Sequence, residues 1–327
     1  MTPRLVSDDR FRRLVGAAVA LLLVALVLNV ARPAAVWQLV RNADPGGIAL
    51  AAGMAALALV FRGIRLVLLL PASGLSLGVG TLVAATAQAA ALFVPARLGE
   101  IALPLLLRRV TGCDFTTGVG TLLAVRTLDL AALGTWAGAA ILAIWGFAHP
   151  LALLAALRLL IAPLLLPATL ASAEWIALRI LAPRGAAGRR WTRRVRRTHR
   201  AVVALRNRPI HLAGAVSASL AMWAALWALA WFLLAAMGYR WEPMEVVAGS
   251  AAASLANLLP FNLVGNLGTL EAGWTAAFVA LDVPPEVAAA TGFASHLWAL
   301  VFAALLGALS WGVLAVRHPP QDRSSSR

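Results

Sequence analysis

The segment Phe93–Arg109, FVPARLGEIALPLLLRR, sets Pro95, Arg97, Gly99, Glu100 and Pro104 into an otherwise apolar run. Proline has no backbone N–H and pushes the residue before it, here Val94, toward extended dihedrals, while Gly99 permits a tight turn. An uninterrupted helix through lipid is therefore not expected; a break at Pro95 and Gly99 is. Irregular backbone at membrane depth survives only where protein or a wet cavity satisfies its polar groups, and Arg97 and Glu100 need the same shelter. The segment predicts one wall of an internal polar site. A second segment, Asn257–Gly273, NLLPFNLVGNLGTLEAG, repeats the order of proline, then Leu-Gly, then glutamate, through Pro260, Gly265, Gly268 and Glu271, and adds Asn262 and Asn266. Interrupted apolar segments at corresponding places in two halves are the sequence pointer to an inverted repeat with its binding site between them. The two tips are expected to meet in mid-bilayer around one shared space.

The surrounding composition fixes the class. Of 327 residues 61% are hydrophobic and 13% charged, with a mean hydropathy of +0.85, which excludes a soluble domain. The apolar stretches are long, rich in Ala and Leu, and lack the ten-residue alternation of an outer-membrane barrel. An all-α polytopic membrane protein follows. The net charge of +15 is carried entirely by arginine, and ten of the 28 arginines lie between Pro183 and Pro209 with no acidic residue among them. Such a loop fixes topology by the positive-inside rule and touches anionic lipid headgroups. It has no aromatic platform or fold for nucleic acid. A single cysteine, Cys113, excludes an internal disulfide and a Cys-rich metal site.

Read outward from the two segments, the chain gives a cytoplasmic N-terminus (1–13), one transmembrane domain (14–316) and a disordered cytoplasmic tail (317–327). The domain divides into halves, 14–182 and 210–316, joined by the basic cytoplasmic loop 183–209. Leu14–Val30 is long enough for a first span. Arg32–Pro45 reads as a polar loop with Trp37 at the interface. Gly46–Phe61 is a short span that uses Arg62 and Arg65 to snorkel. Leu77–Leu107 forms a re-entrant hairpin with Pro95–Glu100 at its tip. Thr116–Phe147 is too long for one straight crossing, and Pro150–Leu181 returns with kinks at Pro163 and Pro167. Ile210–Met237 goes out, Val246–Leu281 makes a second hairpin from the opposite leaflet, and Val287–Val316 crosses inward. The sum is about six crossings and two re-entrant broken-helix hairpins, in a cell inner membrane with both termini cytoplasmic.

The intramembrane charges are the candidate site. Arg97 can take a phosphate through its planar fork, and Glu100 an amine or a proton, although the pair can equally brace the break. Arg126 and Asp129, three apart on one helical face, predict an internal ion pair. Glu271 has no cation nearby in sequence, so Arg97 or Arg126 is expected to reach it. His296, near Phe293 and Trp298, reads as a hydrogen-bonded packing histidine rather than a ligand. Trp223, Trp227 and Trp231 recur on one helix face and read as packing or lipid contact. No histidine pair has metal-ligand spacing, and no metal or cofactor is expected.

Three motifs, VPARLGE with LLLRR, VRTLDL, and LLPFNLVGNLGTLE, together resemble the flippase-like family defined by the transmembrane region of lysylphosphatidylglycerol synthases. The likeness extends over roughly Leu14–Val316. Pro95, Arg97, Gly99 and Glu100 match the first motif, Arg126 and Asp129 the second, and Pro260, Gly265, Gly268 and Glu271 the third. This chain departs from the pattern with Val125 in place of a usual Glu, Asn266 in place of a Gly, and His296 where Arg is common. The resemblance implies movement of lipids or lipid-linked molecules between leaflets. A fused aminoacyl-transfer domain, found in some members, is not expected here.

The expected function is thus that of a lipid transporter, not an enzyme, with a membrane phospholipid or polyprenyl-linked lipid as its partner. Its substrate contacts would be Arg97, Glu100, Arg126, Asp129, Asn262, Asn266 and Glu271. No GxxxxGK[ST] motif is present, so ATP is not expected to drive it directly. The rivals are an accessory subunit of a lipid or glycan synthase and a membrane-embedded lipid-modifying enzyme.

Overall fold

The computed structural model describes residues 30, 32–94, 98–146, 208–256 and 267–318. The expected spans 14–30 (apart from Val30) and 150–181 lie outside them, as do almost all of the basic loop and the tail beyond His318. Every regular element among the described residues is helical: α1 (Pro33–Arg41), α2 (Pro45–Leu69), α3 (Leu77–Phe93), a 3₁₀ turn (Leu98–Ile101), α4 (Ala102–Thr111), α5 (Phe115–Trp145), α6 (Pro209–Ala236), α7 (Pro243–Ala256), α8 (Thr269–Val279) and α9 (Pro285–Arg317). Four of them, α2, α5, α6 and α9, are long and apolar enough to cross a membrane.

Three expectations need correction. Arg32–Pro45 is not simply a polar loop: Pro33 opens the short amphipathic helix α1, which buries Val36 against Ala290 and Phe293 of α9 and leaves Trp37 63% exposed. The second correction concerns the span after it, which is not short. Asp44 caps α2 by accepting the Gly47 N–H at 2.7 Å, and the helix runs 25 residues to Leu69. Arg62 and Arg65 therefore lie within it, turned inward, and do not snorkel at its end. Third, α5 is one continuous helix of 31 residues, about 46 Å at 1.5 Å per residue, so Arg126 and Asp129 do not interrupt it.

The frame is the antiparallel pair α2 and α6. At one end the Asp44 N–H donates to the Ala236 carbonyl at 2.8 Å; at the other, Leu66 and Leu69 pack with Ala215. Two hairpins flank this pair. In the first, α3 stops at Phe93, and Val94 takes the extended backbone (φ −91°, ψ 121°) that a following proline favours. The turn then folds back so tightly that a Cβ on Gly99 would run into the Ala90 carbonyl. Pro104 falls in the first turn of α4, where a missing N–H costs nothing, and Gly112 ends the helix in the left-handed conformation at φ 69°. The hairpin opens at the Leu69 end, where Leu75 and Leu107 share a core with Leu314 and Arg109 Nε donates to the His318 carbonyl at 2.6 Å.

In the second hairpin α7 and α8 run antiparallel, with Gly273 against Ala253 and Ala256 and Val246 clustered with Phe278, Leu281 and Val283. Its connecting residues 257–266 are outside the described set. This hairpin opens at the Asp44 end, opposite to the first. Packing then crosses between halves: α3 lies on α9, and α7 on α5. Two tryptophans of α6 serve that packing: Trp223 and Trp227 lie 4.9 Å apart and Trp227 is buried with Val247 and Ala251 of α7, whereas Trp231 is exposed and donates to the Trp241 carbonyl at 3.1 Å.

Candidate functional site

Four chain segments bring polar side chains, all but one of them charged, to one place between α2, α3 and α5. From α2 come Arg62 and Arg65, three apart and so on one face. The first half of α5 supplies Arg126 and Asp129, α3 supplies Gln88, and the 3₁₀ turn at the first hairpin's tip supplies Glu100. Arg65 is 2% exposed and is held by Asp129 at 2.5 Å and by the Ser219 hydroxyl of α6 at 3.2 Å. Breaking such a buried pair by removing one partner costs about 3–5 kcal/mol, because an uncompensated charge remains. Arg126 bridges two carboxylates, Glu100 at 3.0 Å and Asp129 at 3.9 Å. It is 48% exposed and stands at the mouth. Arg62 donates to Gln88 Oε1 at 2.5 Å. These six side chains, with Leu66, Leu103, Leu122 and Val125 among others, line a cavity of about 50 Å³.

The expected Arg126–Asp129 pair is therefore present but secondary: Asp129 lies closer to Arg65, and Arg126 closer to Glu100. Sequence reasoning missed Arg62, Arg65, Gln88 and Ser219 as members of this site. A signal was available, since Leu66–Leu70 continues the apolar run past both arginines and places them inside a span. Arg97 and Pro95 lie outside the described residues.

The second hairpin's tip is built differently. Gly268, at φ 94°, precedes α8 in a backbone region that favours glycine. Its N–H donates to Glu271 Oε2 at 2.7 Å, and Glu271 Oε1 meets His296 Nδ1 of α9 at 2.5 Å. Glu271 is wholly buried, and His296 nearly so. Of the two expected partners of Glu271, Arg126 is not one, since it is engaged at the first tip and Glu271 is met by Gly268 and His296; Arg97 lies outside the described residues. His296 is the buried, hydrogen-bonded histidine expected, and its partner is Glu271. Pro260, Asn262, Gly265 and Asn266 lie outside the described residues.

Among the described residues the contacts of the two tips do not join into one network. Gly307 of α9 touches Ala89, next to Gln88, and eleven residues separate it from His296, about 16 Å along a helix. What the tips do share is their construction. Glu100 precedes Arg126 by 26 residues and Glu271 precedes His296 by 25; each basic partner lies eleven residues beyond the first residue of its long helix, Phe115 or Pro285. Among the described residues no group of three histidine, cysteine or acidic side chains is placed to hold a metal.

A family model described as the lysylphosphatidylglycerol synthase TM region matches residues 13–307. No curated protein matches the chain.

Proposed function

Since the chain belongs to the family of the lysylphosphatidylglycerol synthase transmembrane region, we propose that it is a flippase-type lipid transporter whose broken first hairpin carries a polar headgroup through the bilayer while the acyl tails stay in lipid. The observation that carries this reading is the polar cavity at that hairpin's tip. Arg126 lies about 16 Å along α5, roughly half of a hydrocarbon core about 30 Å thick. A charge isolated at this depth costs about 2.5–3.5 kcal/mol on insertion scales. A site that already holds Arg62, Arg65, Glu100, Arg126 and Asp129 replaces lost hydration with fixed partners and lowers the barrier to a charged headgroup.

The two halves read as an inverted repeat: α2–α5 and α6–α9 each run long helix, hairpin, long helix. The hairpins open at opposite ends, and each lays its first helix on the other half's last. That is the architecture of alternating access, with the site exposed to one leaflet and then to the other. The charges orient it. At the end where the first hairpin opens stand Arg108, Arg109, Arg208 and Arg317 against Asp114; at the other stand Asp44, Glu242, Glu245, Asp282 and Glu286 against Arg32, Arg41 and Arg240. The positive-inside rule makes the first end cytoplasmic. The first hairpin is thus re-entrant from the cytoplasm and the second from outside.

The test is reconstitution of the full chain into liposomes carrying fluorescent phospholipid in one leaflet, with sidedness followed by dithionite quenching. Movement that is faster than in protein-free liposomes and is slowed by R126Q is expected. Unchanged sidedness for both phospholipid and polyprenyl-phosphate probes contradicts the reading and leaves the accessory-subunit alternative.

A further inference from the structure

The ion pairs of the first-tip cavity do not balance. Three arginines, Arg62, Arg65 and Arg126, face two carboxylates, Glu100 and Asp129, and guanidinium stays ionised under all ordinary conditions. Both carboxylates are committed: Asp129 to Arg65 and more distantly Arg126, Glu100 to Arg126. The unmatched cation is Arg62. Among the described residues its partner is the neutral Gln88 amide, and no carboxylate forms an ion pair with it. Arg65, although buried, also leaves its Nε without a hydrogen-bond partner. Among the described residues the cavity is therefore short of acceptors and in excess by one positive charge. Arg62 is partly buried, and the carboxylate whose charge acts on it, Asp129, is already shared with Arg65 and Arg126; a partly desolvated cation without a counter-ion of its own favours an anion that joins it.

The missing group must offer acceptors, carry negative charge and be small. A cavity of about 50 Å³, where one water needs roughly 10–15 Å³, admits a group the size of a phosphate but not a sugar. Phosphate oxygens accept without donating, and guanidinium forks match their geometry. We infer that this cavity binds the phosphate of an anionic headgroup, with Arg62 as its principal contact, Arg126 at the mouth, and the Arg65–Asp129–Ser219 cluster as a fixed scaffold beneath. A headgroup whose phosphate is already neutralised by its own ammonium gains less from the spare charge. This selects lipids with net negative heads, such as phosphatidylglycerol or a polyprenyl phosphate, over zwitterionic ones. The inference rests on the transport reading of the same site and narrows it to a substrate class.

The experiment uses the full chain in liposomes with fluorescent phosphatidylglycerol or phosphatidylcholine as separate probes, and with trapped inorganic phosphate as a third. One unmatched charge worth about 1.4 kcal/mol corresponds to a tenfold preference, so phosphatidylglycerol is expected to move on the order of tenfold faster than phosphatidylcholine. In R62Q that ratio should collapse toward one, and in R62K, which keeps the charge, it should recover in part. The wild-type ratio stands even if a variant fails to fold. Equal movement of both lipids in the wild-type protein overturns the anionic selectivity while leaving transport intact. Release of trapped phosphate without lipid movement overturns the lipid as the source of the anion. Movement of no probe instead removes the transport reading beneath the inference.

Discussion

Glu100 and Glu271 occupy matching places at the tips of two opposed hairpins, yet one faces a half-open cationic cavity and the other is sealed. The difference follows from the partner on the long helix. Arg126 is long and permanently charged, with donors left over after meeting Glu100, so it can hold the tip and still face a ligand. His296 is short; one ring nitrogen lies against Glu271 Oε1 and the Gly268 N–H donates to the other oxygen, so both carboxylate oxygens are engaged. The same placement of a glutamate opposite a basic partner on a long helix thus goes with a half-open polar cavity in one half and a buried carboxylate–histidine contact in the other. Any alternating-access cycle built on this fold should move a headgroup past the first tip while the second keeps its hairpin folded.

Substitutions can break this contrast, and the largest effect is expected beneath the open site. D129L strands Arg65 in the interior and should lower stability by about 3–5 kcal/mol, read as a large drop in the thermal unfolding midpoint in detergent. The double variant R65M/D129L should recover much of that loss, since removing both charges removes the penalty; additive losses would show that the two residues are not coupled. At the sealed tip, E271Q keeps an acceptor for Gly268 but disturbs the histidine contact, and should cost about 1–3 kcal/mol with E271Q and H296L strongly non-additive. G99A forces a methyl group against the Ala90 carbonyl and should cost about 1–3 kcal/mol, as overpacking does. G53A, where nothing lies within 4 Å of the added carbon, should be neutral or stabilise by up to about 1 kcal/mol through helix propensity. If G99A behaves like G53A, the first hairpin is not closed as described.

Much of this was legible from the residues. Pro95 and Gly99 announced the break because their backbone chemistry is local, and Gly268 with Glu271 announced the second tip for the same reason. Partners were not legible, because they depend on which helices pack. Arg65 finds Asp129 across 64 residues and Ser219 across 154, separations on which sequence spacing is silent, so the arginines were read as snorkelling and Arg126–Asp129 as the main pair. The helix α1 was misread because Arg32, Gln38, Arg41 and Asn42 make its exposed face look like a loop. Its apolar side is recognisable only beside α9. Within one segment the sequence was sufficient; between segments the fold had to supply the answer.

Aqueous accessibility at the two tips separates the open site from the buried contact most directly. In a C113S background, L122C places a thiol on the cavity lining of the first half and S295C one beside His296 in the second. A water-soluble anionic methanethiosulfonate reagent should fully modify L122C under conditions that leave S295C unreacted. Equal modification of both, or modification of S295C alone, would contradict the assignment of the first hairpin's tip as the open headgroup site.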